Sequence, residues 1–383
     1  MFAIITLIVL SVLIGASYYL SYRLYQGLVT FFTGLRFWHV ALVIAAAVLL
    51  LMFGFGRGFI PFSKNTKHVI GLVGAYCMGV LFYLLLFTAL ADLLLLVPRL
   101  IKLPFTSHHL FHGIVGIAVL LSTGITCVYG FVNAAQIDRV SYEVSVSGKK
   151  DISDINIVMI SDLHLGAIGS EARLEKIVAE INEQKPDLVC IAGDFFDTDF
   201  NTIRDPDAAL KTLGKLRSTF GVYTCLGNHD GGKTHPQMLE FLRQADIRLL
   251  DDTAAVIDNR LVLVGRLDSS SIGGYGDKKR KALSEFLAVD DPTMPVIVLD
   301  HNPANALSYG AEADLILCGH THRGQVFPGS LLTNAMYTVD YGYYRKDSDS
   351  PHIIVSSGVG TWGMPMRVGT NCEIVSISVS CNK

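Results

Sequence analysis

Residues 155–165 read INIVMISDLHL, a largely apolar run that ends in a polar turn carrying Asp162 and His164. A short run of this kind, rich in β-branched and aliphatic side chains, predicts a buried strand over residues 155–160. An acid and an imidazole at its end predict a ligand site, because open α/β sheets place ligands beyond the carboxyl ends of their strands. The pattern recurs downstream. Residues 188–192 lead into Gly193-Asp194, and residues 222–226 into Gly227-Asn228-His229-Asp230. Residues 296–299 lead into Asp300-His301, and residues 315–318 into Gly319-His320-Thr321-His322. Helical patterns fall between these runs. Residues 171–184 place Leu174, Ile177, Val178 and Ile181 on one face, and residues 207–217, 235–245 and 278–287 also read as helices. Further strands are expected at 261–264, 353–355 and 374–379. Strand–helix alternation followed by strand-rich sequence predicts an α/β domain of two packed sheets flanked by helices.

Carboxylate, amide oxygen and imidazole, without a thiolate, suit divalent ions such as Mn, Fe, Zn or Ni rather than a structural zinc site. Residues two apart point the same way in an extended segment, whereas in a turn they can fan out around neighbouring ions. Asp162 with His164, and His320 with His322, have that spacing.

Taken together and in order, D-x-H, G-D, G-N-H-D, a lone His and G-H-x-H resemble the calcineurin-like metallophosphoesterase superfamily, from about residue 155 to the end. The resemblance implies that Asp162, His164 and His322 hold one metal, that Asn228, His301 and His320 hold a second, and that Asp194 bridges them. It implies that His229 binds no metal and faces the leaving-group oxygen as a general acid. Two cations would neutralise the phosphoryl oxygens and lower the pKa of a bridging water, and the hydroxide so formed would attack phosphorus in line. His301 is identified only by its place after a strand and by the following Asn302-Pro303. Asp230 is expected to shape its turn, Asp197 to brace the loop after Asp194, and Asp300 to accept the second N–H of a ligand imidazole. His235 and His352 receive no role.

The stretch SGVGTWGMPMR, residues 357–367, is similar to the ending of a membrane-associated branch of that superfamily. The branch includes YkuE-like phosphoesterases and hydrolases of UDP-diacylglucosamine. There the last His is usually followed by Gly-Gly-Gln, whereas here it is followed by Arg323-Gly324-Gln325. Arg323 and Arg367 are therefore candidate contacts to a substrate phosphate.

Hydrophobic residues make up 51% of the 383 residues and charged residues 17%, and the apolar excess lies before about residue 132. A membrane span needs roughly 20 apolar residues, and residues 2–20, 38–55, 69–97 and 111–132 qualify. The first lacks a basic start and a cleavage site, so it reads as a retained helix rather than a signal peptide. A membrane domain over 1–135 and a phosphoesterase domain over 140–383 follow. Arg57, Lys64 and Lys67 in one loop, with Arg139, Lys149 and Lys150 after the last span, tilt the catalytic domain toward the cytoplasm. Asp92, near the end of the third span with no partner evident, is expected to mark a boundary or a packing contact. His108, His109 and His112 read as a polar collar more readily than as a metal site. The seven cysteines form no metal or disulfide framework.

The expected partners are a lipid bilayer and a phosphorylated lipid or small molecule. The expected function is metal-dependent hydrolysis of a lipid-linked or nucleotide-linked phosphoester or diphosphate. A nuclease is the alternative enzyme, but a net charge of −3 offers no basic footprint for nucleic acid. A catalytically silent membrane sensor or scaffold is the other alternative, and it would tolerate degenerate ligands, of which there are none.

Overall fold

The structure, a computed structural model, describes residues 2–56, 63–147, 149, 154–166, 168, 171–287 and 291–382. Arg57 and Lys150 lie outside the described residues. The chain forms two compact units, Met1–Phe131 with Gly363–Pro365, and Val132–Trp362 with Met366–Lys383.

The first unit is helical: α1 (Phe2–Leu28), α2 (Phe37–Gly56), α3 (Lys64–Leu94), the short α4 (Leu96–Leu100) and α5 (His109–Ala134). Among the described residues, four helices are long and apolar enough to cross a membrane: Leu7–Leu28, Phe37–Gly56, Asn65–Leu94 and His109–Ala134. Helix α1 runs beyond residue 20, where the apolar pattern stops, and Arg23 in the added turns is paired. Its partner is Asp92, which also takes a hydrogen bond from Tyr19 Oη at 2.7 Å and an ion pair from Arg99 Nη1 at 2.9 Å. Asp92 therefore ties α1, α3 and α4 together, through Tyr19 and Arg23 far away in sequence and Arg99 seven residues on. Among the described residues, no group of three metal-ligating side chains includes His108, His109 or His112.

The second unit is the expected pair of sheets. One has the order β1 (Asp138–Ser147), β12 (Glu373–Asn382), β2 (Ile155–Ile160), β3 (Leu188–Ala192), β4 (Val222–Cys225), β5 (Ile247–Leu249). The other runs β10 (Gly342–Tyr344), β11 (His352–Val355), β9 (Leu315–Cys318), β8 (Val296–Leu299), β7 (Leu261–Gly265), β6 (Thr253–Ile257). Strands β2 to β5 are parallel, as are β7, β8, β9 and β11, so within each sheet the ligand-bearing ends point one way.

Alternation along the strands sorts the core. Ile155, Ile157 and Met159 of β2, with Leu188 and Cys190 of β3, face Leu263, Ile297 and Leu317 between the sheets. Val158, Ile160, Val189 and Ile191 face the helices α6 (Glu171–Glu183), α7 (Pro206–Leu213) and α8 (His235–Gln244). Helix α7 stops at Gly214, short of residue 217. Residues 278–287 are not the expected helix. Only a 3-10 turn, Leu283–Glu285, forms there. The reason is tertiary: the Lys281 N–H donates to Asp252 Oδ2 at 2.7 Å, and Arg280 reaches across to Asp300 and the Leu267 carbonyl. Those bonds hold the backbone away from a helical ladder.

Candidate metal centre

The turns after β2, β3, β4, β8 and β9 converge, and they bring together Asp162, His164, Asp194, Asn228, His301, His320 and His322. The backbone is in the left-handed region at Asp162 (φ 54°), His164 (47°), Asp194 (50°), His320 (73°) and His322 (48°). Side chains other than glycine rarely adopt it, and such residues gather where surrounding structure imposes them. Here the reversals send His320 and His322 to different donor groups, whereas the ligand atoms of Asp162 and His164 stay within 4.8 Å of each other. The glycines of the motifs have a packing role. A side chain at Gly227 would collide with Asp194, and one at Gly319 with Asp162.

The donor atoms fall into two neighbouring sets. His164 Nε2 lies 3.0 Å from His322 Nε2, which is 3.5 Å from Asp162 Oδ1. His301 Nε2 lies 3.2 Å from Asn228 Oδ1, which is 2.7 Å from His320 Nδ1. Asp194 Oδ2 stands between the sets, 3.8 Å from His164 Nε2 and 3.2 Å from His301 Nε2. Donor atoms on one ion with bonds near 2.1 Å stand about 3 Å apart, so these separations fit a pair of cations.

Charge and burial agree with that fit. Burial drives His164 down to about 3 and His320 down to about 4, so both imidazoles are neutral, as ligands must be. Burial, reinforced by the Arg367 charge, holds His322 well below its ordinary value. Burial also opposes the charged forms of Asp194 and His301, but their mutual attraction prevails. Asp194 lies far below the carboxylate range and His301 well above the imidazole range. The His301 proton thus occupies a position that a cation could take. Burial pushes Asp162 up to about 6, against the pull of His301 and with the repulsion of Asp194. His301 Nδ1 is paired with the Ala192 carbonyl at 2.8 Å. The acceptor expected in Asp300 is therefore a main-chain oxygen, and Asp300 instead binds Arg280 and Tyr309.

His229 flanks the first set. Its N–H donates to Asp194 Oδ1 at 2.7 Å, and its Nδ1 meets Thr198 Oγ1 at 2.7 Å. A ligand atom of Asp197 lies within 4.8 Å of those of His164 and His229. Asp230 braces the loops, accepting from the N–H groups of Gly227, Phe195 and Phe196. Burial, with Asp194 nearby, pushes it up to about 7. His235 bonds the Asp230 carbonyl and His352 the Tyr343 hydroxyl, so both have structural partners.

The two arginines part company. Arg323 is exposed, with its guanidinium 4.3 Å from the Tyr341 ring centre. Arg367 is fully buried beneath His322. It donates to the carbonyls of His322, Ser357 and Gly360, so its expected contact with substrate is corrected to an internal one.

Two aromatic rings at the site received no role from the sequence. The Trp362 ring is 5.7 Å from that of His229, and the Tyr337 ring 6.0 Å from that of His320. Trp362 lies in the very stretch that marks the membrane-associated branch, which was the available signal.

The profile of the Calcineurin-like phosphoesterase family matches residues 155–324. A zebrafish (Danio rerio) transmembrane protein with metallophosphoesterase domain is 30% identical over 340 residues, 82% of this chain and 75% of the relative. An uncharacterized metallophosphoesterase of Aquifex aeolicus is 33% identical over 231 residues, 59% of this chain and 85% of the relative. The uncharacterized metallophosphoesterase YkuE of Bacillus subtilis is 30% identical over 233 residues, 57% of this chain and 76% of the relative.

Proposed function

Because the chain belongs to the calcineurin-like phosphoesterase family, hydrolases that work through a dinuclear divalent metal centre, we propose that it cleaves a lipid-linked or nucleotide-linked phosphate at a membrane. A molecule of the UDP-diacylglucosamine type combines both features. The reading draws its chief support from donor atoms spaced about one coordination edge apart around Asp194.

Asp162, His164 and His322 would hold one ion, and Asn228, His301 and His320 the other, with Asp194 shared. Bound there, two cations neutralise phosphoryl oxygens and lower the pKa of water. The protein's own groups do the rest. Thr198 engages Nδ1 of His229, which leaves Nε2 to meet the departing oxygen and stabilise or protonate it. Arg323, exposed at the turn after His322, is a candidate contact for a phosphate oxygen. Asp194 also takes the His229 N–H, so one carboxylate fixes both the ions and the acid.

The four apolar helices cross the bilayer in this reading, with the catalytic unit on the cytoplasmic side. The support is the Danio rerio alignment, which spans most of the chain, and the lysines and arginines flanking the helices.

The test is turnover by the full chain with Mn, supplied with lipid-linked phosphates, nucleotide diphosphate conjugates and a soluble aryl phosphodiester. Hydrolysis of the first two sets is expected, and it should vanish on chelation. An Asp194→Ala variant should lose more than the roughly 10–100-fold that removal of an outer partner costs. Full activity in that variant would falsify the mechanism, and turnover of the soluble ester alone would remove the lipid substrate.

A further inference from the structure

Residues 324–339 read GQVFPGSLLTNAMYTV, with no charged residue. They contain α9 (Gly329–Met336), a helix with no buried residue. Leu331 is 61% exposed, Leu332 66% and Met336 74%, and Phe327 in the preceding turn is 49% exposed. Single exposed apolar residues are ordinary, whereas a contiguous patch marks an interaction surface. The segment is also firmly placed. The Phe327 N–H donates to the Val368 carbonyl at 2.8 Å, and Thr333 Oγ1 to Asp340 Oδ2 at 3.1 Å. The Thr321 hydroxyl, between the two histidines of the last motif, donates to the Asp340 carbonyl at 2.6 Å. Directly after the helix comes Tyr337, whose ring lies beside His320.

We propose that α9 docks on the lipid bilayer, with Phe327, Leu331, Leu332 and Met336 entering the interfacial layer beside the metal centre. A lipid-linked phosphate would then reach the site without leaving the leaflet. This deepens the lipid-substrate reading and rests on it. A bilayer is favoured over a protein partner by two features. The segment is uncharged over its whole length, as an apolar medium requires. The chain is also continuous with the membrane helices: only three residues separate Ala134 at the end of α5 from Asp138 at the start of β1. Such a tether keeps the domain at high effective concentration near lipid.

The experiment uses the full chain in phosphatidylcholine nanodiscs. A nitroxide at Leu332→Cys, in a Cys77→Ser background, should collide readily with oxygen and poorly with a nickel chelate. A nitroxide at the exposed Val256→Cys should show the reverse. Ready access of nickel at residue 332 overturns the proposal. Shielding from both reagents marks a protein-covered face and also overturns it. A Leu331→Gln/Leu332→Gln/Met336→Gln variant should lose about tenfold in kcat/KM on a lipid-linked phosphate in the nanodisc and keep its rate on a soluble aryl phosphodiester. Equal loss on both substrates, or loss on neither, counts against docking. Wild-type protein that turns over only the soluble ester overturns the substrate reading, while nitroxide depth still decides docking.

Discussion

Gln325 grips Trp362 at both ends of its backbone: Oε1 accepts the Trp362 N–H at 2.8 Å, and Nε2 donates to the Trp362 carbonyl at 2.8 Å. The indole is therefore set beside His229 in advance, half-exposed, with little ordering left for a ligand to impose.

If His229 serves the departing oxygen, a ring carried on that oxygen would meet Trp362. Stacking on an aromatic side chain is worth about 1–3 kcal/mol, so Trp362→Ala should cost about tenfold or more in kcat/KM on aryl or nucleoside esters. Simple alkyl esters should be little affected. Gln325→Ala should shift both classes in the same sense, more weakly. Steady-state kinetics on matched esters checks this, and a uniform loss would assign Trp362 to structure alone.

Metal binding should depend on pH in two stages. In the metal-free site His301 carries a proton well above its ordinary value, and Asp162 takes one up as pH falls through about 6. A cation must displace what is bound, so acid weakens binding. Above pH 6 the loading should release about one proton from this pair, and below it about two. His164 and His320, at about 3 and 4, stay neutral across this window and add nothing. Calorimetry in buffers of different ionisation enthalpy measures the count, and a constant proton release would contradict the assignment.

Asp230 offers a stability test. Its folded value is raised to about 7, so its contribution to the metal-free fold is complete below the unfolded value of 3.8. That contribution declines as pH rises through 7. Asp230→Asn removes the titration but gives up part of the acceptor for three N–H groups, at about 1–3 kcal/mol. Its deficit in Tm should shrink between pH 5 and pH 8, and a deficit that grows over that range would reverse the sign.

Arg367 and Arg323 should fail differently. Arg367→Met strands the carbonyls of His322, Ser357 and Gly360 and should cost about 3 kcal/mol, lowering Tm and metal content together. Arg323→Ala, at an exposed position, should move stability by no more than about 0.5 kcal/mol and raise KM instead. Thermal melts beside Michaelis plots separate the two.

The ligand-bearing strands were legible because each is an apolar run cut off by a polar turn, and burial on both faces leaves no other pattern. Strand β1 differs: Ser141, Glu143 and Ser145 alternate with apolar residues at the sheet's edge, a half-buried strand pattern without the apolar run and polar turn that mark the others. The helix anticipated at 278–287 failed because Asp252, nearly thirty residues upstream, captures the Lys281 N–H. Distance likewise hid the contacts of Asp92 with Tyr19 and Arg23 and that of Arg367 with the His322 carbonyl. Identity along the chain names a donor or acceptor, but only the fold decides which group it meets.

In the first sheet β12, residues 373–382, lies between β1 and β2, parallel to one and antiparallel to the other. A growing polypeptide therefore displays an open apolar seam between β1 and β2 until residues 373–382 have cleared the ribosome. Closure of this sheet waits for the strand that follows all its others in the chain, and until then the exposed edges of β1 and β2 are prone to wrong pairing.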